Sequence, residues 1–196
     1  MAELMVDYIT SLDGYGAARG WPGLWGMGGP EYFAFLEQDE ESDHVLLMGA
    51  NTYRLFAGFV SSGQEGMEPM TARRKVVFSS SLDAPLEWEN SELVRDDPVE
   101  TVRSMKQGDM ALRTVGSPSL CRALLEAGLV DRYRVVVFPV VNGQTGYDRM
   151  YDGWPEVAFD DVALRTFDGQ LQLFEATPRV LDGPPEPGNG LSEGNA

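Results

Sequence analysis

Two stretches of this sequence combine a short apolar segment, a glycine and the start of a helix, an arrangement that can bind an anion. In the first, Gly116 ends a β-prone run, Ser117 stands at a helix N-cap position and Pro118 stands at the first helical position. In the second, Gly49 ends an apolar run and Ala50 opens a helix. The free N–H groups of a first helical turn and the helix dipole both favour a phosphate. Each junction is therefore either a phosphate site or an ordinary turn between a strand and a helix.

Few other side chains in the sequence offer acid–base or metal chemistry. His44 is the only histidine and Cys121 is the only cysteine. A His-based catalytic triad and a metal site built from several His or Cys ligands are therefore excluded, and we predict no metal. Cys121 falls on the inner face of the helix after Gly116, so we expect it in the core. The basic run 73–75 holds one fifth of the 15 Lys and Arg residues, and a basic run before a strand is usually solvated.

The composition bounds the class of protein. The chain has 196 residues, of which 43% are hydrophobic, and this suits one domain with a full core. Its formal net charge of -16 argues against nucleic acid or an anionic membrane as the main partner. No apolar run approaches the roughly 20 residues of a membrane span, and the start of the sequence lacks a signal-peptide pattern. Because a lone cysteine also fits a reducing compartment, we expect a cytoplasmic protein.

The pattern of apolar runs predicts an α/β fold. Segments of β-prone residues begin near positions 4, 44, 75, 93, 111 and 133, and each is followed by a loop or a helix, as in an open and mostly parallel sheet. Residues 157–167 and 171–176 predict an antiparallel hairpin that turns at Asp168-Gly169. We expect one domain over residues 1–180 and a disordered, acidic, Gly/Pro-rich tail over 181–196. Ligands of such sheets bind beyond the carboxyl ends of the strands.

A glycine-rich and aromatic segment, residues 15–30, follows the first strand and its Asp13-Gly14 turn. A connection of this length suggests a lid over a ligand. Its tryptophans, Trp21 and Trp25, either cover a flat ligand or plug the edge of the core. A helix is predicted directly after it, over residues 31–38.

Taken together and in this order, these motifs resemble the dihydrofolate-reductase-like superfamily. The resemblance is stronger to the C-terminal reductase domain of the bacterial riboflavin-biosynthesis deaminase/reductase and to its stand-alone relatives, and it covers residues 3–178. The matching motifs are Ser11-Leu12-Asp13-Gly14, Leu47-Met48-Gly49-Ala50-Asn51-Thr52-Tyr53, Lys75-Val76-Val77-Phe78-Ser79-Ser80, Val115-Gly116-Ser117, and Gly128-Leu129-Val130-Asp131 leading into Phe138-Pro139-Val140-Val141.

The resemblance implies a homodimer with a mostly parallel central sheet, flanking helices and a C-terminal antiparallel hairpin. It implies an oxidoreductase that transfers a hydride from NADPH, or NADH, to a small cyclic or heterocyclic substrate of pterin, pyrimidine or specialised-metabolite type. The nicotinamide would lie near the first strand, the pyrophosphate between the two helix N-termini, and the adenosine near the serine run. The cofactor-binding residues implied in this way are Ile9, Gly16, Gly49, Ala50, Asn51, Thr52, Ser79, Ser80, Arg95, Val115, Gly116, Ser117, Ser119, Leu120 and Thr145.

The same resemblance singles out four residues on the substrate side. Asp13 would border the substrate pocket, and Glu31 falls where classical dihydrofolate reductases carry an acid, so both are candidates for catalysis. The alternatives are a turn residue for Asp13 and a helix-start glutamate for Glu31. Trp25 and Tyr53 are candidates for substrate binding, with core packing as the alternative for each.

The sequence also departs from the family. Ala50 stands where the family usually has an arginine that holds the 2′-phosphate of NADPH, which leaves the choice between NADPH and NADH open. Arg54, Arg74 or Arg95 would have to supply that charge. The zinc motif of the deaminase is absent, which favours a reduction other than the riboflavin step itself. Two further functions stay open: a catalytically inactive nucleotide or metabolite binder, and a reductase that uses flavin or deazaflavin.

Overall fold

A computed structural model describes residues 1–40 and 43–183, so most of the predicted tail lies outside the described residues. Within this part, ten strands are found: β1 (Leu4–Ser11), β2 (Tyr15–Ala18), β3 (His44–Gly49), β4 (Lys75–Phe78), β5 (Ser91–Val94), β6 (Ala111–Thr114), β7 (Arg132–Phe138), β8 (Gly146–Arg149), β9 (Val157–Phe167) and β10 (Leu171–Val180). The helices of the same part are α1 (Pro30–Glu40), α2 (Ala50–Ser61), α3 (Glu68–Ala72), α4 (Pro98–Met105), α5 (Pro118–Glu126) and a short 3-10 helix (Gly23–Gly26).

Eight strands form one sheet in the order β5-β4-β3-β6-β1-β7-β10-β9, and β2 pairs with β8 in a separate ribbon. The strands from β5 to β7 run parallel, whereas β10 is antiparallel to β7 and β9 is antiparallel to β10. This confirms the predicted α/β fold with its C-terminal hairpin. The hairpin turns through Asp168 at φ 51° and Gly169 at φ 69°, the left-handed conformations that a tight hairpin turn requires.

Strand β1 is an interior strand of the sheet, because it pairs with β6 on one side and β7 on the other. Successive side chains of a strand point to opposite faces, so β1 contributes to two separate cores. Leu4 and Val6 are fully buried in the core that α5 covers, together with Cys121 and Leu124 of that helix. Burial raises the pKa of the Cys121 thiol to about 12, and the residue is a core residue, as predicted.

Helix α1 covers the other face of β1, β7 and the hairpin. Its Tyr32 ring lies 5.8 Å from the ring of Phe138 in β7 and 5.8 Å from the ring of Phe167 in β9. All three side chains are buried in one cluster with Trp25, which precedes the helix. The start of α1 is therefore anchored by aromatic packing at the carboxyl end of β7.

The other end of α1 is anchored by a buried ionic network. Arg134 of β7 donates hydrogen bonds to Asp7 of β1 and to Asp39 of α1, each at 2.6 Å. Arg113 of β6 donates to the same Asp39 carboxylate at 2.5 Å. Because these side chains come from three adjacent strands and one helix, the network fixes α1 across the sheet.

The basic run 73–75 departs from the usual solvated position at Lys75, whereas Arg74 is exposed. Lys75 is not solvated but fully buried, and its Nζ donates to the carbonyl oxygens of Met70, Thr71 and Arg73 at 2.8, 2.9 and 2.6 Å. Burial lowers the pKa of Lys75 to about 8, while the charge of Glu89 acts in the opposite direction. The lysine thus satisfies carbonyl groups at the end of α3, a structural role.

The ribbon of β2 and β8 also differs from the prediction, since the sequence predicts a connecting segment without strands over residues 15–30. Tyr15 pairs with Arg149, and Ala18 pairs with Gly146. Each partner is only four residues long, and the two are more than a hundred residues apart in the chain. Such short segments give too few residues for an alternating pattern to be recognised.

Candidate functional site

The carboxyl ends of five parallel strands form one continuous edge, in the order β4, β3, β6, β1 and β7. Adjacent strands are about 4.8 Å apart, so segments that follow neighbouring strands lie side by side. The two strand–glycine–helix junctions follow β3 and β6, which are neighbours. A Cβ atom on Gly49 would come within 2.4 Å of the Ser117 Oγ atom. The fold therefore brings the two predicted anion sites together.

Neither helix at these junctions is capped by a side chain. The N-cap residues Gly49 of α2 and Ser117 of α5 make no side-chain cap hydrogen bond, whereas Asp97 caps α4 through the N–H groups of Val99 and Glu100 at 2.8 and 3.0 Å. Ser117 stands at the predicted N-cap position with a φ of 71°, but its side chain makes no cap hydrogen bond and its Oγ atom lies against Gly49. The first-turn N–H groups of α2 and α5 can therefore donate to a ligand.

The backbone before α5 leaves room for such a ligand. Gly116 has a φ of 65°, and a Cβ atom built on it would meet no atom within 4 Å. Ser117 is a non-glycine residue in the left-handed region directly after it, a conformation that costs of order 1–2 kcal/mol. Strain of this kind clusters at functional sites. By contrast, the Leu120 side chain is buried in the core, so only its backbone is available to a ligand.

Positive charge gathers at the β4 end of the same edge. Arg54 of α2 donates to Ser81 Oγ at 3.1 Å, and Arg95 donates to the carbonyl oxygens of Ser80 and Leu82 at 3.2 and 2.7 Å. Arg74 does not belong to this group, because it precedes β4 and pairs with Glu92 at 2.8 Å at the opposite edge of the sheet. The serine run after β4 thus lies between two guanidinium groups.

Asp13 fastens the turn after β1 to the loop after β7. Its carboxylate accepts hydrogen bonds from Ser11 Oγ at 2.7 Å and from the backbone N–H groups of Asn142 and Gly143 at 3.1 and 2.9 Å. Burial alone would raise the pKa of Asp13, but these hydrogen bonds lower it to about 2. A carboxyl group with such a pKa is ionised near neutral pH and carries no proton to donate.

Glu31 lies in the first turn of α1 and contacts the hairpin turn. Its Oε2 atom accepts a hydrogen bond from the backbone N–H of Asp168 at 2.6 Å. The Asp168 carboxylate in turn accepts from the N–H groups of Glu31 and Tyr32 at 3.0 and 3.2 Å. These contacts match the alternative role for Glu31, that of a glutamate that stabilises the start of a helix.

The two aromatic candidates are both buried. Trp25 is 5% exposed, its ring lies 5.1 Å from that of Phe138, and its Nε1 atom donates to Asn142 Oδ1 at 2.8 Å. Tyr53 is also 5% exposed, and its hydroxyl accepts from the backbone N–H of Trp88 at 3.0 Å. Trp21 is the exposed tryptophan of the lid segment, at 46%. Trp25 is thus a core residue next to the carboxyl end of β7, and Tyr53 positions the loop before β5.

Three other cofactor candidates lie around β1. Ile9 packs beside the cluster that contains Trp25, and Gly16 lies in β2 against Asp148 and Met150. Thr145 follows β7, and its hydroxyl donates to the Asn142 carbonyl at 3.1 Å. Nothing in the sequence marks Asn142 as a site residue, because a lone asparagine before a glycine is typical of a turn. Its contacts with Asp13 and Trp25 become visible only in the fold.

No group of three or more His, Cys, Asp or Glu side chains within residues 1–40 and 43–183 is arranged to hold a metal ion. In the same residues, the helices are too short or too polar to cross a membrane.

The chain matches the family described as RibD C-terminal domain over residues 2–173. It belongs to this family, which confirms the resemblance seen in the sequence. No curated protein matches the chain at a significant level.

Solved structures share the fold of the chain at low sequence identity. One, described as a riboflavin biosynthesis protein from a Shewanella species, is 19% identical with a TM-score of 0.66, over 91% of this chain and 99% of its own. A pyrimidine reductase-like protein from Corynebacterium diphtheriae is 13% identical with a TM-score of 0.57, over 91% and 92%. The riboflavin biosynthesis reductase of Saccharomyces cerevisiae is 10% identical with a TM-score of 0.60, over 91% and 90%.

Proposed function

We propose that this chain is an NADPH-dependent reductase that transfers a hydride to a small heterocyclic substrate. The observation that carries the proposal is the pair of adjacent helix N-termini at Gly49 and Ser117, neither of them capped by a side chain. Two first turns side by side offer N–H groups to two linked phosphates, as a dinucleotide presents them. Membership in the RibD C-terminal domain family supports the same activity.

In this proposal a dinucleotide lies along the edge formed by the carboxyl ends of the strands. The pyrophosphate would take the space left by Gly116, between α2 and α5. The adenosine end would then lie by the serine run after β4, and the reactive ring would lie near β1. NADPH supplies the hydride when bound, and the chain supplies position and electrostatic stabilisation.

Arg54 and Arg95 support NADPH over NADH. A protein with a formal net charge of -16 repels a phosphate monoester unless cations stand next to the site. These two arginines converge on the Ser80–Leu82 turn, at the adenosine end of the edge. In this proposal they replace the arginine that the family usually has at the position of Ala50.

A pyrimidine-type ring is the substrate class we favour. One structural neighbour is described as pyrimidine reductase-like and two belong to riboflavin biosynthesis, so all three descriptions fit a small heterocycle. The substrate would lie between the turn after β1 and the loop after β7, which Asp13 ties together. In this proposal Asp13 orients the site and stays ionised, and Glu31 holds α1 against the hairpin.

A catalytically inactive binder is the second candidate. The observation that favours it is that both acids singled out in the sequence are engaged by backbone N–H groups, Asp13 by Asn142 and Gly143, and Glu31 by Asp168. Such a protein would keep the phosphate site and lose turnover. Cofactor binding alone therefore does not separate the two candidates.

We also propose a homodimer formed through β9. This strand is one of the two edges of the eight-stranded sheet, and its Val162 and Leu164 side chains are 49% and 71% exposed. An unpaired edge with exposed apolar residues favours pairing with a second copy. Sedimentation at micromolar concentration should give a dimer, and Leu164→Lys should shift it toward the monomer. A parent protein that sediments as a monomer would contradict the proposal.

The reductase proposal is tested in two steps. NADPH and NADH are titrated separately into the purified protein, with intrinsic fluorescence as the signal, and we expect tighter binding of NADPH. Cofactor oxidation is then followed with a panel of pyrimidines, pterins and related heterocycles. Oxidation that depends on one of these compounds supports the reductase. Binding without oxidation across the panel favours the inactive binder, and the absence of binding contradicts both.

A further inference from the structure

Asn142, in the loop after β7, has a buried amide whose hydrogen-bonding capacity is only partly used. The residue is 7% exposed, and its Oδ1 atom accepts the hydrogen bond from Trp25 Nε1. Its Nδ2 atom is buried and has no acceptor among residues 1–40 and 43–183. A buried donor without an acceptor costs about 1–3 kcal/mol. An amide in this condition at the edge of a ligand site suggests that a ligand supplies the acceptor.

The orientation of the amide is fixed by its neighbours. An indole N–H can only donate, so the oxygen of Asn142 must face Trp25 and the N–H2 group must point elsewhere. The backbone is held as well, because the Asn142 N–H donates to Asp13 at 3.1 Å and the Asn142 carbonyl accepts from the Thr145 N–H at 3.1 Å. The N–H2 group therefore has little freedom to find another partner by rotation.

The hydrogen bond from Trp25 to Asn142 is maintained although the backbone around Trp25 is strained. Leu24 and Trp25 are consecutive non-glycine residues in the left-handed region, with φ of 53° and 49°. Each such residue costs of order 1–2 kcal/mol. The strained turn persists because the Trp25 ring packs on Phe138 and its N–H reaches Asn142. The surrounding structure thus determines which way the Asn142 amide faces.

The position of Asn142 on the edge indicates which part of a ligand it would meet. β7 is the neighbour of β1, and the phosphate-binding junctions follow β3 and β6 on the other side of β1. A dinucleotide held at those junctions has its reactive ring near β1, so the loop after β7 lies beside the reacting pair rather than the adenosine.

We propose that Asn142 is a ligand-binding residue whose N–H2 group donates a hydrogen bond to a carbonyl oxygen of the planar ring bound at this edge. The carbonyl belongs either to the ring of the substrate or to the carboxamide of the nicotinamide. The inference rests on the proposed function. A site with a buried donor rejects an analogue that lacks the matching acceptor, so Asn142 also selects for a carbonyl at this position.

The side-chain amide of Asn142 can be observed directly in the unmodified protein. Its pair of N–H resonances in a ¹⁵N-labelled sample is assigned by their loss in Asn142→Leu. NADP⁺ is added first, and uracil, a dioxopyrimidine, is added second, while calorimetry follows cofactor binding independently. A shift of the Asn142 resonances with NADP⁺ alone identifies the carboxamide, and a shift only after uracil identifies the ring carbonyl. NADP⁺ binding that leaves these resonances unchanged in both steps overturns the inference and leaves the reductase proposal standing.

A pair of variants separates ligand binding from the support of Trp25. Asn142→Asp keeps an oxygen for the Trp25 N–H but loses the N–H2 donor, so we expect affinity for the ligand that shifted the resonances to fall at least tenfold. Trp25→Phe removes the Trp25 hydrogen bond and keeps the amide, so we expect a smaller loss. Melting temperatures identify a variant that fails to fold. In that case the resonance experiment on the parent protein decides whether the Asn142 amide contacts the ligand. Parent-like affinity in a folded Asn142→Asp overturns the inference, and the absence of any nicotinamide cofactor binding overturns both proposals.

Discussion

Glu31 and Asp168 satisfy each other's backbone groups although they lie 137 residues apart. The Asp168 carboxylate accepts the Glu31 N–H at 3.0 Å, and the Glu31 carboxylate accepts the Asp168 N–H at 2.6 Å. The hairpin turn thus provides the N-terminal cap of α1, a role that a residue directly before the helix usually fills. These hydrogen bonds consequently hold the start of α1 and the tip of the hairpin together.

The contact between Glu31 and Asp168 leads to a prediction about stability. Asp168→Ala should lower the free energy of unfolding by about 1–2 kcal/mol, because α1 loses its cap and alanine tolerates the φ of 51° less well than aspartate. Asp168→Asn is the matched control and should change little, since asparagine tolerates the φ of 51° and keeps one acceptor oxygen. Glu31→Gln should leave cofactor binding and turnover unchanged. Denaturant unfolding measures the first effect, and loss of turnover in a fully stable Glu31→Gln would restore a catalytic role for Glu31.

A second prediction concerns the space beside Gly116. Gly116→Asn should weaken NADPH binding at least tenfold, about 1.4 kcal/mol, because the new side chain occupies the space proposed for the pyrophosphate. Asparagine is chosen because valine would be strained at a φ of 65°. Gly128→Asn is the matched control: it lies at the other end of α5, has a φ of 63°, and is equally open. Equal affinities of the two variants in a fluorescence titration would contradict the placement of the pyrophosphate.

A third prediction concerns selectivity between the two nicotinamide cofactors. Arg54→Met should weaken NADPH binding and leave NADH binding unchanged, because only NADPH carries the 2′-phosphate. Arg74→Met is the control at the opposite edge of the sheet and should affect neither cofactor. Ala50→Arg should increase the preference for NADPH, since it restores the arginine of the family. If Arg54→Met weakens the binding of NADPH and NADH equally, Arg54 supports the position of α2 and does not contact the 2′-phosphate.

A fourth prediction follows from the buried ionic network. Burial would raise the pKa of Asp39, but its bonds to Arg134 and Arg113 lower it below the ordinary value of 3.8. The unfolded chain then binds more protons as the pH falls, so the stabilisation is complete above about pH 4 and is lost as the pH drops through the folded pKa. Asp39→Asn should lower the free energy of unfolding by about 3 kcal/mol at neutral pH. The stability of this variant should also depend less on pH in the acid range than that of the parent protein. Asp160→Asn, from an exposed pair with Arg179, is the control and should barely change the melting temperature.

Features carried by local sequence could be predicted, and features made by distant contacts could not. The strand–glycine–helix junctions and the Asp168-Gly169 turn each have a signal within a few residues, and all are present in the structure. The burial of Lys75 depends on carbonyl groups that α3 presents only after folding. The same holds for Asn142, because its significance comes from Trp25 and Asp13, more than a hundred residues earlier in the chain.

The place of β1 in the sheet has a consequence for how the protein is made. Residues 12–131 separate β1 from β7, so 120 residues must be synthesised after β1 before its main partner begins to emerge. At 5–20 residues per second, the first strand waits roughly 6 to 24 s on the ribosome with its apolar face uncovered. During that interval the uncovered apolar face makes the nascent chain prone to aggregation. Refolding of the whole chain must likewise close this long loop before the central strand is paired, which makes slow folding an inherent property of this topology.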